Sequence, residues 1–540
     1  MIAKRLKWLV ISFAVILMLG IIVFIYGHER NSTYDTAVTY DIIEPFESLT
    51  DAKDIYDDNT QNGFLGKIEE LKAKKEYTLD DALVIYNPFQ TNRQSLYLYF
   101  NTDKPAALKY TIHVNKEGIS DLTRTCYNGS ENNLTTTHEY QLIGLIPDMD
   151  NNITLTLTYQ SGKTETRSFN YRAGSLLGKE ELILSNEEGE STQPLEDGFN
   201  VVSSPKNFIL IYDNDGVLRS EIPIIEYRYL RLLFQKDKMY FSSSLNDLAE
   251  MNNLGMITHI YDFGKYELHH DYVFDDENNI LLLGTDKKTS RVEDRILRLN
   301  PDSGDITEVL DLADIFPDYY KSCTPDQEGK LDWMHINTIQ WLGDDSILIS
   351  SRETSSILRI DNLYTKPALE YMLGTDSFWE GTEYLSYLYK KSGDFKSQLG
   401  QHAVTYVDDT ALGDGEYYLY MFDNNIGIST TRPDYDWASH FDDIGFAHAA
   451  DKDETSFYYK YLVNENAKTY ELVKSFEVPY SGYMSSVQEL GDNIIINSSS
   501  PCLLNEYDKE NKLIKSFDLS EEGQVYRTFK YTFTDFYFYK

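Results

Sequence analysis

The phrases KDKMYFSSS (236–244), NNILLLGTD (278–286), DSILISSRE (345–353), EYYLYMFDN (416–424) and DNIIINSSS (492–500) share one pattern. Each is a polar turn, a short apolar strand, then small polar residues. FILIYDNDGVLRSEIPI (208–224) adds a sixth copy. Several copies lead into a strand ending in Asp, a turn and another strand, as in RILRLNPDSGDITEVLDL (295–312), SILRIDN (356–362) and LLNEYDKENKLIKSFDL (503–519). Units of three or four antiparallel strands repeated along a chain predict a β-propeller, and six copies predict six blades. The copies recur at roughly 40–77 residues, wider than the ~40–50 of regular propellers, which assigns 313–332 and 374–400 to insertions. Two stacked sandwiches are the alternative architecture.

Outward from the repeats, residues 77–175 carry short alternating runs such as ALVIYNPF, SLYLYFNT and ITLTLTYQ, parted by turns. They predict a small N-terminal β-sandwich domain. The propeller then occupies 176–540. Residues 28–76 are polar, with a helix expected around GKIEELKAKKE (66–76), as a stalk or a packing helix. WLVISFAVILMLGIIVFIYG (8–27) is uncharged and follows Lys4, Arg5 and Lys7. At 1.5 Å per residue it spans a bilayer core of ~30 Å, so 1–27 is expected to be a transmembrane signal anchor. The bulk would then lie outside the cytoplasm on a single-pass anchor, or be secreted if the segment is cleaved.

The whole is expected to be all-β, a propeller and a sandwich behind one transmembrane helix. Aromatics make up 14% of the 540 residues, with 43 Tyr, 26 Phe and only 14 Pro, which favours strands over disorder. A net charge of −38 argues against nucleic acid or an anionic lipid surface as partner. The same field repels anionic substrates, so such a substrate needs a local cluster of Arg and His. Cys126, Cys323 and Cys502 form no CxxC and no disulfide framework.

Three histidines hold one place in successive units. His270 lies about ten residues before its apolar phrase, His335 about twelve and His402 about fifteen, each near the start of an inner strand. Inner strands line the channel of a propeller, so these positions converge on the axis. In LDWMHINTIQW (331–341), Asn337 shares the face of His335, and Arg352 ends the strand that follows. His269, next to His270, is expected to point the other way. Imidazoles, a carboxamide and a guanidinium, with no carboxylate clustered among them, suit transfer of an anionic group to or from oxygen. One neutral His attacks while Arg, Asn and a protonated His hold the charged oxygens. A three-His metal site stays open, although an Arg beside a divalent ion disfavours it. No G-x-S-x-G, Walker loop or Rossmann fingerprint occurs. Two other readings remain: a metal-dependent lyase or hydrolase acting on anionic sugars, and a surface-binding propeller without catalysis.

HHDYVFDDENNILLL, DWMHINTIQWLGDDSILISSR and GQHAVTYV resemble the motifs of the bacterial aryl-sulfate sulfotransferases, which use no PAPS. NPFQTNRQSLYLYFNTDKPAALKYTIHV resembles the β-sandwich preceding their six-bladed propeller. The resemblance covers roughly 77–540. It implies a ping-pong reaction in which a phenolic sulfate ester passes its sulfuryl group to a histidine and a phenolic acceptor takes it away. His402 would be the nucleophile. Arg352, Asn337 and His335 would hold the sulfate oxygens, and His270 would complete the pocket by stabilising charge or handling the phenol proton. The resemblance implies no cofactor and no metal, and it allows a homodimer. The chain departs from members that carry a disulfide near the active site and from soluble members whose signal is cleaved.

Overall fold

The computed structural model describes residues 35–540 except Lys452. The expected membrane segment at 8–27 lies outside these residues. Among the described residues no helix is long and apolar enough to cross a membrane.

Six sheets follow one another along the chain, which excludes the stacked-sandwich alternative. Blade 3 is representative: Tyr266–Phe274, Ile280–Asp286, Arg295–Leu299 and Ile306–Asp311 pair in sequence order. Five of the quoted phrases are the second strands of their blades; the sixth, Phe208–Tyr212, is the third strand of blade 1, because a strand from the C-terminal end takes the inner place. Ile280–Asp286, Ser346–Ser351 and Asn493–Ser498 are buried along their whole length. Neighbouring blades cover both faces of these strands, so they read as continuous apolar runs rather than alternating ones. The first strands lie innermost, where Tyr266–Phe274 packs on Ile336–Gly343 and that strand on His402–Val407.

The ring is closed twice. Thr528–Tyr531, near the C-terminus, is the inner strand of blade 1 and pairs with Phe199–Ser204. Asn186–Glu188 pairs with Leu513–Asp518 at the outer edge of blade 6. Each end of the repeat region thus supplies a strand to the blade built from the other end. The open sheet edges are covered.

The N-terminal domain is built around one long strand, Ser95–His113. Its first half pairs with Leu83–Tyr86 and Thr135–Ile143, its second with Leu122–Thr125 and Asp150–Tyr159. Residues 35–72 do not form a stalk. Asp35–Ala37 adds to the edge strand Thr164–Arg172. The expected helix runs earlier than 66–76, over Asp58–Lys72, because Asp57 caps it by accepting from the Thr60 amide at 2.8 Å. It buries Gln61, Phe64 and Ile68. The Gln61 amide donates to the Phe89 carbonyl and its oxygen accepts from Ile257 N in blade 2. The C-terminal residues Phe533, Phe536, Tyr537 and Phe538 join the same core, which is continuous from the sandwich into blades 1 and 2. The propeller therefore stands on a fixed base.

The insertion at 313–332 holds the short helices Leu312–Ile315 and Pro317–Ser322, and that at 374–400 holds Asp376–Trp379. Their aromatic residues Phe316, Tyr319, Phe378 and Trp379 pack around Trp333, two residues before His335. The three cysteines are unpaired thiols.

Candidate active site

The histidine spacing converges as the repeat requires. His270 lies within the inner strand of blade 3, His335 immediately precedes that of blade 4, and His402 begins that of blade 5. Ring centroids are 4.7 Å apart for His270 and His335 and 6.3 Å for His270 and His402. The backbone is left-handed at His270 (φ 55°), His335 (φ 46°) and Ala403 (φ 53°). Strand pairing is interrupted between Leu268 and Tyr272, and between His402 and Thr405. Left-handed non-glycine residues are costly and gather where a side chain must be aimed against the regular pleat.

His402 is 2% exposed. Its Nδ1 lies 2.7 Å from Asn424 Oδ1 and 3.1 Å from the Gly400 carbonyl. The Asn424 amide nitrogen donates to the Ser481 and Met484 carbonyls, which fixes its oxygen toward the imidazole. Both partners of Nδ1 can only accept, so Nδ1 carries the hydrogen and the Nε2 lone pair is exposed to chemistry. Nε2 has no hydrogen-bond partner among the described residues. Burial, reinforced by neighbouring His270 and by the charges of His335 and Arg352, holds His402 well below the ordinary histidine value. The ring is neutral at physiological pH.

The turn before His402 is anchored to blade 4. The Gln401 amide donates to Ser350 Oγ at 2.9 Å and the Ser351 carbonyl at 3.2 Å. Gly400 has φ 64°, and a Cβ there would lie 2.5 Å from Ile426 Cγ2, so only glycine fits. Asn337 is fully buried, and its amide donates to the Gln401 carbonyl at 2.7 Å. It bears on the backbone that carries His402.

His335 and Arg352 form the cationic side. Arg352 N donates to the His335 carbonyl, which joins the two at the top of blade 4. His335 Nδ1 lies 2.7 Å from both Asp332 Oδ2 and Glu293 Oε2. Burial and Arg352 act to lower its pKa, but the two carboxylates outweigh them and hold it up at about 9. Arg352 Nη2 contacts Glu353 Oε1 at 2.7 Å and Asp332 Oδ2 at 3.4 Å. Glu353 also accepts from the Thr430 amide, which ties blade 4 to the loop after the second strand of blade 5. His335 Nε2 and Arg352 Nε and Nη1 have no partner among the described residues. They are the donors left for an anion.

The expectation of a site without clustered carboxylates is overturned. Glu293, Asp332 and Glu353 all lie within it, each against a cation or an imidazole. Sequence reading missed them because Glu293 sits in a loop between strands of blade 3, far in sequence from His335. Asp332 was within sight in DWMH, three residues before the histidine, and Asn424 ends the quoted phrase of blade 5. Burial acts to raise Glu293, yet His335 and His270 outweigh it and hold it well below the usual carboxylate range.

His270 is held below its ordinary value by burial, against the pull of Glu293. As a neutral ring it donates from Nε2 to the Glu293 carboxylate at 3.0 Å, and its Nδ1 accepts from the Tyr526 hydroxyl at 2.7 Å. Tyr526 comes from the segment just before the closing strand of blade 1, so the double closure also completes the site.

A family model described as Arylsulfotransferase (ASST) matches residues 184–539. The chain belongs to the arylsulfotransferase family. A second model, the arylsulfotransferase Ig-like domain, matches residues 83–174. The family domain makes the protein a transferase with arylsulfotransferase activity, acting between aryl sulfate donors and phenolic acceptors. No curated protein matches the chain. Among solved structures, a Bacteroides caccae protein of unknown function is 12% identical. It covers 62% of this chain and 98% of its own, at a TM-score of 0.35. A putative 6-phosphogluconolactonase from Bacteroides fragilis is 8% identical, covers 79% and 98%, and has a TM-score of 0.34. BamB from Moraxella catarrhalis is 12% identical, covers 62% and 90%, and has a TM-score of 0.31. Likeness of this degree carries no argument here.

Proposed function

We propose that this arylsulfotransferase works by a ping-pong reaction through a sulfohistidine at His402. The observation carrying the proposal is the fixed tautomer of a buried, neutral His402, with Nε2 unpartnered and two acceptor oxygens on Nδ1–H. Nε2 attacks the sulfur of a phenolic sulfate, the N–S bond forms and the S–O bond to the phenolate breaks. The ring becomes cationic, and Asn424 Oδ1 and the Gly400 carbonyl stabilise the charge on Nδ1–H. His335 and Arg352 hold the sulfuryl oxygens through the N–H groups that their carboxylates leave free. The carboxylates orient these donors in advance, so little rearrangement accompanies the reaction.

The departing phenolate takes a proton from the Tyr526 hydroxyl, leaving a tyrosinate beside His270, which Glu293 orients. A phenolic acceptor returns a proton by the same route when its oxygen takes the sulfuryl group, so the cycle balances. Asn337 positions the Gln401–His402 backbone rather than touching sulfate. The charge of −38 and the apolar run at 8–27 support display outside the cytoplasm on that anchor; protease treatment of intact cells would leave the protein undigested if it is cytoplasmic.

The test is release of nitrophenolate from 4-nitrophenyl sulfate by the purified protein, with and without phenol. Steady release that needs phenol, is independent of added nucleotide and disappears in His402→Ala is expected. Steady release without phenol would make water the acceptor and the protein a sulfatase.

A further inference from the structure

Strand alternation puts His269 and His270 on opposite faces. The structure does not. The left-handed backbone at His270 and the pairing gap between Leu268 and Tyr272 bring both imidazoles toward Glu293. One ligand atom from each of His269, His270 and Glu293 lies within 4.8 Å of the others. His269 is 5% exposed, and neither of its ring nitrogens has a hydrogen bond among the described residues. His269 has no part in the sulfuryl-transfer steps above, so this orphaned ring is otherwise unexplained.

We propose that His269, His270 and Glu293 form a binding site for a divalent transition-metal ion such as Zn2+, and that its occupation switches off sulfuryl transfer. Two imidazoles and one carboxylate are the donor set of three-ligand zinc sites with an open fourth position. Imidazole donors select Zn2+, Co2+ or Ni2+ over Mg2+ and Ca2+, which prefer oxygen. Burial, first among the influences on it, holds His269 at about 4, so it presents a neutral ligand. Glu293 also belongs to a second group with Asp332 and His335, which places those two as a further ligand and an orienting partner. Arg352 and protonated His335 oppose the ion, while Asp332 favours it. A metal held here takes His270 and Glu293 away from the phenol proton and from His335. The inhibitory half of this inference rests on the function proposed above; the binding half does not.

The experiment uses the full purified chain freed of metal with a chelator. Titration with Co2+ is expected to give visible d–d absorption saturating at one ion per chain, displaced by Zn2+. Zn2+ at the same concentrations is expected to suppress phenol-dependent turnover. His269→Leu is expected to weaken metal binding by about 100-fold and to keep metal-free turnover within about twofold of the parent. His269→Gln, which retains a polar side chain in the cavity, serves as the second variant, and its metal-free turnover shows that it is folded. No Co2+ absorption, or equal absorption in both variants, overturns the site. Stoichiometric binding with turnover unaffected overturns the inhibitory role. Metal binding in a protein that transfers no sulfuryl group supports the site and refutes the proposed function.

Discussion

Replacing Asp332 by Asn removes one negative charge from beside His335 while keeping the shape of the side chain. His335 is held at about 9 against an ordinary 6.5. That difference corresponds to about 3.4 kcal/mol in favour of the imidazolium, at 1.36 kcal/mol per tenfold change in proton affinity. Burial and Arg352 oppose this, and Asp332 and Glu293 supply it. With Asp332 gone, Glu293 alone opposes burial and Arg352, and loss of one adjacent opposite charge lowers a pKa by ~1–3 pH units. The proposed mechanism requires His335 charged. The sign is therefore definite: the charge is present below the folded pKa and lost as pH rises through it. In the parent, about 90% of His335 is protonated at pH 8; in Asp332→Asn a smaller fraction is. The variant should react roughly 10-fold more slowly at pH 8, with a smaller loss at pH 6. The assay is single-turnover release from 4-nitrophenyl sulfate without acceptor, so that ionisation of the acceptor does not intrude. Glu353 still holds Arg352 at 2.7 Å, so the guanidinium keeps its main anchor. An equal loss at both pH values would show that Asp332 acts through position rather than charge. A parent profile flat to pH 10 would refute the need for a charged His335.

Asn424→Ala removes the acceptor that fixes the His402 tautomer. Loss of one hydrogen bond to a ring that becomes charged, about 1.5–3 kcal/mol, predicts a fall of roughly 10–200-fold in kcat/KM, measured with 4-nitrophenyl sulfate and phenol. Asn337→Ala leaves the buried Gln401 carbonyl without its donor and should cost about 1–3 kcal/mol of stability in urea unfolding, with kcat falling more than KM changes. Glu293→Gln should slow donors with basic phenolate leaving groups far more than 4-nitrophenyl sulfate, read as a steeper dependence of rate on leaving-group pKa. Trp333→Ala should cost about 3–5 kcal/mol, because Trp333 is fully buried and donates to Asp294 at 2.9 Å.

The fold was legible wherever a strand is covered on both faces, because burial forces a continuous apolar run of fixed length. That is why the second strands announced blades 2 to 6, and the largely buried third strand, Phe208–Tyr212, announced blade 1. The inner strands read less clearly, since they carry polar residues toward the channel. The histidines were legible through their common place in the repeat, a property of topology that survives insertions. What surrounds them was not. Glu293 reaches His335 across a blade boundary, and Glu353 touches Arg352 while bonding a loop of the next blade. Contacts between blades leave no periodic trace in the chain. His269 misled because alternation holds only where the pleat is regular, and His270 breaks it. The helix at Asp58–Lys72 was placed too late because its capping residue, Asp57, lies in a run of acidic residues that reads as solvent-facing.

The central claim is that the sulfuryl group passes through His402 Nε2. The most direct measurement is tandem mass spectrometry of the His402 peptide after rapid mixing with 4-nitrophenyl sulfate, without acceptor, quenched at high pH. A mass increment of one SO3 on His402, formed together with a stoichiometric burst of nitrophenolate and discharged by added phenol, is the predicted result. A burst with the increment on another residue, or phenol-dependent turnover with no burst and no modified peptide, would contradict it.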